Sequence, residues 1–150
     1  MLFIGLNNTD WPLKKRELAI EKSRELTRQA VQERIQMQVE KTELEQDLFH
    51  KKFKSLLELA KSNSSEFIVL FKELYPQATA NFMELNPQMR NSEFRFCALA
   101  YLNFSTKEIS QYTYVAISAV QSRKNRFRKK YGITSDVDFN QWIQQIGNHE

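Results

Sequence analysis

The chain has 150 residues, 41% hydrophobic and 27% charged, which suits one ordinary soluble domain or a small domain with an extension. It excludes a large multidomain enzyme and a disordered chain. Lys plus Arg is 22 and Asp plus Glu is 18, for a net charge of +4, an excess that matters only where it is concentrated. With 3 glycines and 3 prolines, the chain is too poor in turn-formers for a sandwich or barrel, so an all-α architecture is expected.

The start, Met1-Leu2-Phe3-Ile4-Gly5-Leu6, is far shorter than the roughly 20 apolar residues that span a bilayer, and it lacks the basic lead of a secretion signal. Residues 1–12 therefore read as a frayed N-terminal segment of a soluble, cytoplasmic protein. Were the chain an excerpt, the same run would read as the end of a membrane helix, with Trp11 at the lipid interface and Lys14-Lys15-Arg16 on the cytoplasmic side.

Pro12 suits a helix start, and no proline or glycine occurs between it and Pro76. Residues 13–61, rich in Glu, Lys, Arg, Gln and Leu, read as one long charged helix. Ala30, Met37 and Leu44 keep a heptad spacing, but the positions between them include Arg34 and Lys41. This weak repeat is expected to pair a stalk helix loosely with a second copy, giving a homodimer; the alternative is a solvated single helix.

Residues 64–88 read as connecting helices. Ser62-Asn63-Ser64-Ser65 is a polar break that can cap the next helix. Phe67, Ile68, Leu70, Phe71, Leu74 and Tyr75 recur at helical spacing up to Pro76, and a shorter helix with Phe82 and Met83 fits between Ala78 and Leu85.

Residues 89–150 change rhythm, to short helices with short joints. Phe94, Cys97, Ala98, Tyr101 and Leu102 share one apolar face. Asn103 can take the left-handed conformation that ends that helix. Ser105-Thr106-Lys107-Glu108 is a capping box, opening a helix that carries Ile109 and Tyr112 inward and stops near residues 113–115. A stronger helix fits residues 118–131 and is ended by Gly132. Ser135 is expected to cap a last helix, with Phe139, Trp142, Ile143 and Ile146 facing inward.

The charge is concentrated in the helix at 118–131. Arg123, Lys124, Arg126, Arg128, Lys129 and Lys130 occur there without an acidic neighbour, and these six exceed the net +4, so the remainder is slightly acidic. At about 100° per residue, Val120, Phe127 and Tyr131 fall in one core-facing sector with Lys124 beside them. Gln121, Ser122, Asn125, Arg126 and Lys129 spread over the opposite face, with Ser118 near the helix start. Amides and hydroxyls read base edges while cations hold phosphates, so this face suits a DNA major groove. The alternative is a solvated basic face. Against it stands the neighbour: a short capped helix, a short joint and then the basic helix is the helix-turn-helix arrangement.

Ser92 to Ile133 resembles the LuxR/GerE-type helix-turn-helix of bacterial transcription regulators. The matching pieces are Glu93, Ser105-Thr106-Lys107-Glu108-Ile109-Ser110 for the "NKEIA" segment, Val115 and Val120 at the core positions flanking the turn, and Lys130-Tyr131-Gly132-Ile133 for the closing "KLGV". The likeness is closer still to a subgroup found behind coiled-coil stalks and, in longer relatives, tetratricopeptide repeats and a membrane helix. Phe71-Lys72-Glu73-Leu74-Tyr75-Pro76 and Asn86-Pro87 share it. The resemblance implies a sequence-specific transcription regulator that binds duplex DNA as a homodimer, with an upstream sensor domain outside this chain supplying the signal.

The expected DNA contacts are Gln121, Ser122 and Asn125 on bases, and Arg123, Arg126, Arg128, Lys129 and Lys130 on phosphates, with Ser118 near the helix start and Thr106 and Lys107 reaching the backbone from the preceding helix. About five neutralised phosphates per subunit would give a log–log salt slope of about −4 to −5. The chain departs from the family at Ala116, where a capping Ser is usual, and at Ser118 and Ala119, where Arg and then Ser or Thr are common. These departures motivate a competing expectation, a coiled-coil assembly module whose helix-turn-helix has lost its reader.

No catalytic role is expected. The sequence shows no nucleophile with a nearby base, no glycine-rich phosphate loop and no metal-ligand spacing, so no cofactor, metal or small-molecule substrate is implied. Cys97, on an apolar helical face, reads as a buried thiol.

Overall fold

With no proline between Pro12 and Pro76, nothing interrupts the hydrogen-bond ladder of α1, Asp10–Lys61, which runs for 52 residues. Pro12 falls in its first turn, where an amide hydrogen would have no intrahelical partner. The structure, a computed structural model, describes residues 10–150; the apolar Met1–Leu6 run and what was expected of it lie outside these. Seven helices and no strand make up the described residues.

The chain divides into two units between Asp47 and Leu48. In the first, α1 is exposed on every side from Trp11 onward. Arg28 pairs with Glu21 at 3.3 Å and Glu25 at 2.9 Å, and Lys41 with Glu45 at 3.9 Å, exposed pairs worth at most about 1 kcal/mol each. Leu26, Ala30, Met37 and Leu44 form one apolar sector. Ile20, Val31, Ile35 and Val39 form a second, roughly 150° away at about 100° per residue. The heptad spacing alone points only to the first.

The second unit, Leu48–Glu150, contains the end of α1 and six further helices: α2 (Glu66–Leu74), α3 (Pro76–Leu85), α4 (Asn91–Tyr101), α5 (Thr106–Thr113), α6 (Ile117–Tyr131) and α7 (Phe139–Gly147). The stretch expected to be connecting helices is thus part of the same core. α2 packs on α3 and α4, while α7 packs on α3 and α4, and Leu56, Phe67, Phe71, Phe82, Phe94, Leu99 and Ile143 are fully buried together. α4 lies at the centre. The sequence pattern suggests one apolar face, but Phe96, Leu99 and Ala100 are buried as well, because neighbours cover α4 on several sides. The Phe96 ring lies 5.6 Å from Phe127 of α6 and 5.5 Å from Phe139 of α7.

Local chemistry sets the joints. Asn103, at φ 66°, turns the chain out of α4. Ser105 and Glu108 then form the reciprocal capping box of α5. Gly132, at φ 65°, ends α6. Ser65 occupies the N-cap of α2 without a side-chain cap bond, and Ser64 Oγ, one residue earlier, accepts from the Glu66 amide at 3.2 Å. The expected cap of α7 is corrected: Asp138, not Ser135, accepts from the Gln141 amide, at 2.9 Å. Residues 134–137 instead form a turn closed by the Val137 amide on the Thr134 carbonyl, and Arg128 holds that carbonyl at 2.7 Å.

Gly147, the last residue of α7, is required by space. A Cβ there would lie 2.5 Å from Tyr101 Cε2 and 3.2 Å from the Ala78 methyl. Tyr101 has little freedom to move, since its hydroxyl is bonded to Asn148 Oδ1 at 2.6 Å and its ring lies 5.8 Å from that of Phe71. Gly147→Val is expected to cost about 1–3 kcal/mol through overpacking. An unchanged urea midpoint for that variant would contradict this.

Candidate nucleic-acid interface

The placement of α6 is decided by what it buries. Val120 and Phe127 enter the core; Tyr131 is half-buried, its ring 5.9 Å from Phe127 and 5.6 Å from Trp142 of α7. Lys124 lies on this inner side too. Its Nζ donates to Thr106 Oγ1 at 2.7 Å and sits 5.7 Å from the centre of the Phe139 ring. Burial lowers its pKa, Asp138 partly offsets that, and Arg128 adds to the lowering. Lys124 is thus a tie between α5 and α6.

The joint between those helices is Tyr114–Ala116. Tyr114 takes the left-handed conformation at φ 57°, and Ser110 Oγ donates to the Val115 carbonyl at 2.6 Å, holding the turn against α5. Ala116 occupies the N-cap of α6 without a side-chain acceptor, as its apolar methyl dictates. Ala116→Ser supplies that acceptor and is expected to raise stability by about 1 kcal/mol, read as an increased denaturation midpoint; an unchanged or lowered midpoint would count against the cap geometry.

The opposite face of α6 carries Ser118, Gln121, Ser122, Asn125, Arg126 and Lys129, all exposed, within a sector of about 140° at 100° per residue. Lys130 is exposed at its flank and Lys107 on α5. The remaining expected contacts are partly engaged inside the protein. Thr106 is half-buried under Lys124. Half-buried Arg123 donates to the Ser92 carbonyl at 3.3 Å and lies 5.6 Å from the Phe96 ring. Arg128, also half-buried, holds the Thr134 carbonyl. Each guanidinium keeps further donors free of these bonds.

Arg90 is missing from the contacts expected from sequence. It lies just before α4, far from α6 along the chain, yet a notch of about 290 Å³ brings it beside Arg123, Arg126 and Lys130, with Glu93 as the lining carboxylate. The only signal in the sequence is one more cation at the edge of the helix-turn-helix segment. Cys97 is buried, and burial first, then Glu93, pushes its thiol up to about 12 despite Arg123. It is therefore protonated and unreactive at neutral pH.

No helix among the described residues is long and apolar enough to cross a membrane. Comparison with protein-family models, curated proteins and solved structures returns no match.

Proposed function

We propose that this protein is a LuxR/GerE-type transcription regulator that binds duplex DNA through α6, with α5 and α6 acting as the helix-turn-helix. The observation that carries the reading is the exposed face of α6, where amides, hydroxyls and cations converge without a carboxylate. Gln121, Ser122 and Asn125 have the donors and acceptors to read base edges, with Ser118 at the entry of the helix. Arg126, Lys129 and Lys130, joined by Lys107 of α5, supply charge for phosphates, and Arg123 and Arg128 contribute through their remaining donors. Pairing through the apolar sectors of α1 would place two such units on one duplex, so the operator should contain two half-sites.

Selection of genomic duplex fragments by the purified protein tests this. A discrete, reproducible set sharing a two-part sequence is expected; retention of nothing, or of all fragments equally, would overturn sequence-specific binding.

A second reading, an assembly module whose helix-turn-helix no longer reads DNA, draws on the uncapped Ala116 and on the exposed Tyr114, Val115 and Ile117 beside it. That reading requires partner binding to persist when the cations of α6 are removed.

A further inference from the structure

A groove of about 720 Å³ lies beside the proposed DNA-binding face, between α2, α4, the α5–α6 joint and α6. Three helices each contribute a stripe at helical spacing: Ile68 and Lys72 from α2, Arg95 and Leu99 from α4, and Ala119 and Arg123 from α6. Two properties point to an occupant. The accessible walls are apolar at Ile68, Val69, Val115 and Ala119, over a floor of buried Leu99, Ile109 and Val120, yet four cations, Lys72, Arg95, Arg123 and Arg126, line the same groove with no carboxylate among the lining residues. None of the four belongs to an ion pair among the described residues, although Arg123 and Arg126 also line the neighbouring notch that holds Glu93. Arg95 is half-buried, its guanidinium satisfied only by the Ser64 carbonyl at 2.8 Å and Asn63 Oδ1 at 3.3 Å, and burial lowers its pKa. Positive charge held on an apolar wall without a counter-charge is complementary to an amphipathic anion.

Arg123 reaches the Ser92 carbonyl and Lys72 Nζ sits 5.0 Å from the Phe94 ring, both near the start of α4, while Arg95 is held at the turn before α2 by the Ser64 carbonyl. A peptide helix about 10 Å across would fill the volume in less than two turns, whereas the volume is ordinary for a small ligand.

We propose that this groove binds a medium-chain aliphatic carboxylate, with the chain along Ile68, Val69 and Val115 and the carboxylate among Arg95, Arg123 and Lys72. Arg126 lines the groove and also belongs to the exposed face of α6, so the occupant competes with DNA; this second half rests on the DNA-binding reading.

Titration with a fluorescent dansylamino-undecanoate, with unlabelled decanoate as competitor, tests the site without DNA. Saturable binding is expected, reversed by decanoate but not by decanol or decyltrimethylammonium. The Val69→Glu, Lys72→Glu double variant, changed only at exposed positions of α2, should bind at least about tenfold more weakly. Lys51→Glu, Lys54→Glu, an exposed charge reversal outside the groove, should bind as the wild type does. Absence of saturable binding, equal competition by decanol, or equal loss in both variants would overturn the proposal. In a DNA-retention assay decanoate should displace DNA from the wild type and not from the groove variant. Bound decanoate with unchanged DNA retention would refute the competition. A wild type that retains no DNA refutes the DNA reading, while the titration still decides the carboxylate site.

Discussion

Phe71→Ala is expected to lower the stability of the Leu48–Glu150 unit by about 3–5 kcal/mol, the range for emptying a buried aromatic site. Phe71 has no exposed surface. Its ring lies 5.1 Å from Tyr75, 5.8 Å from Phe94 and from Tyr101, 6.1 Å from Phe67 and 6.3 Å from Phe82, so one ring joins α2, α3 and α4. The five neighbours are themselves interlocked and cannot collapse far into the space, which places the cost toward the upper end. Against a typical total stability of about 5–15 kcal/mol, such a loss leaves a substantial unfolded fraction. Val69→Ala, on the same helix but 68% exposed, should stay within about 0.5 kcal/mol of the wild type. Urea midpoints measure both, and equal effects would contradict the assignment of Phe71 to the centre of the core.

The Arg126→Ala, Lys129→Ala double variant is expected to lose DNA retention at least about a hundredfold at moderate salt, since each lost phosphate contact removes a charge-assisted hydrogen bond worth about 1.5–3 kcal/mol. Both side chains are exposed, so the fold should be undisturbed and an unchanged thermal transition should accompany the loss. Retention of DNA by the variant would move the interface away from α6. Loss of DNA together with loss of a protein partner would show that the face serves both, and an intact partner interaction without any wild-type DNA binding would favour the assembly reading.

Signals confined to a few neighbouring residues are the ones legible without coordinates. Ser105 and Glu108 satisfy each other's backbone donors. Asn103 and Gly132 end helices by adopting a left-handed conformation open to them. The uninterrupted α1 reflects the absence of helix breakers over its length. The start of α7 was less legible because Ser135 and Asp138 can both cap, and the choice depends on the turn at residues 134–137, whose Thr134 carbonyl accepts from both the Val137 amide and Arg128. The burial of α4 on several sides depends likewise on how α2 and α7 lie around it. The face of α6 could be drawn from angular spacing, yet which of its cations are occupied could not. Arg123 and Arg128 bond to carbonyls of residues outside α6, and Arg90 arrives from outside it. The groove was illegible for the same reason, because its cations come from three helices.

That sorting of cations sharpens the most direct test of α6 as a DNA-binding face, the salt dependence of binding. Four cations of the proposed interface are exposed, Lys107, Arg126, Lys129 and Lys130. At about 0.9 counterions per neutralised phosphate they give a log–log slope of about −3.6 per subunit, shallower than the five-phosphate expectation. Fluorescence anisotropy of a labelled duplex, titrated with protein over a series of salt concentrations, measures it. A slope between about −3 and −5 per subunit, falling by about 2 in the Arg126→Ala, Lys129→Ala variant, is the predicted result. Binding that is absent, independent of salt, or equally salt-dependent in the variant would contradict DNA recognition by this helix.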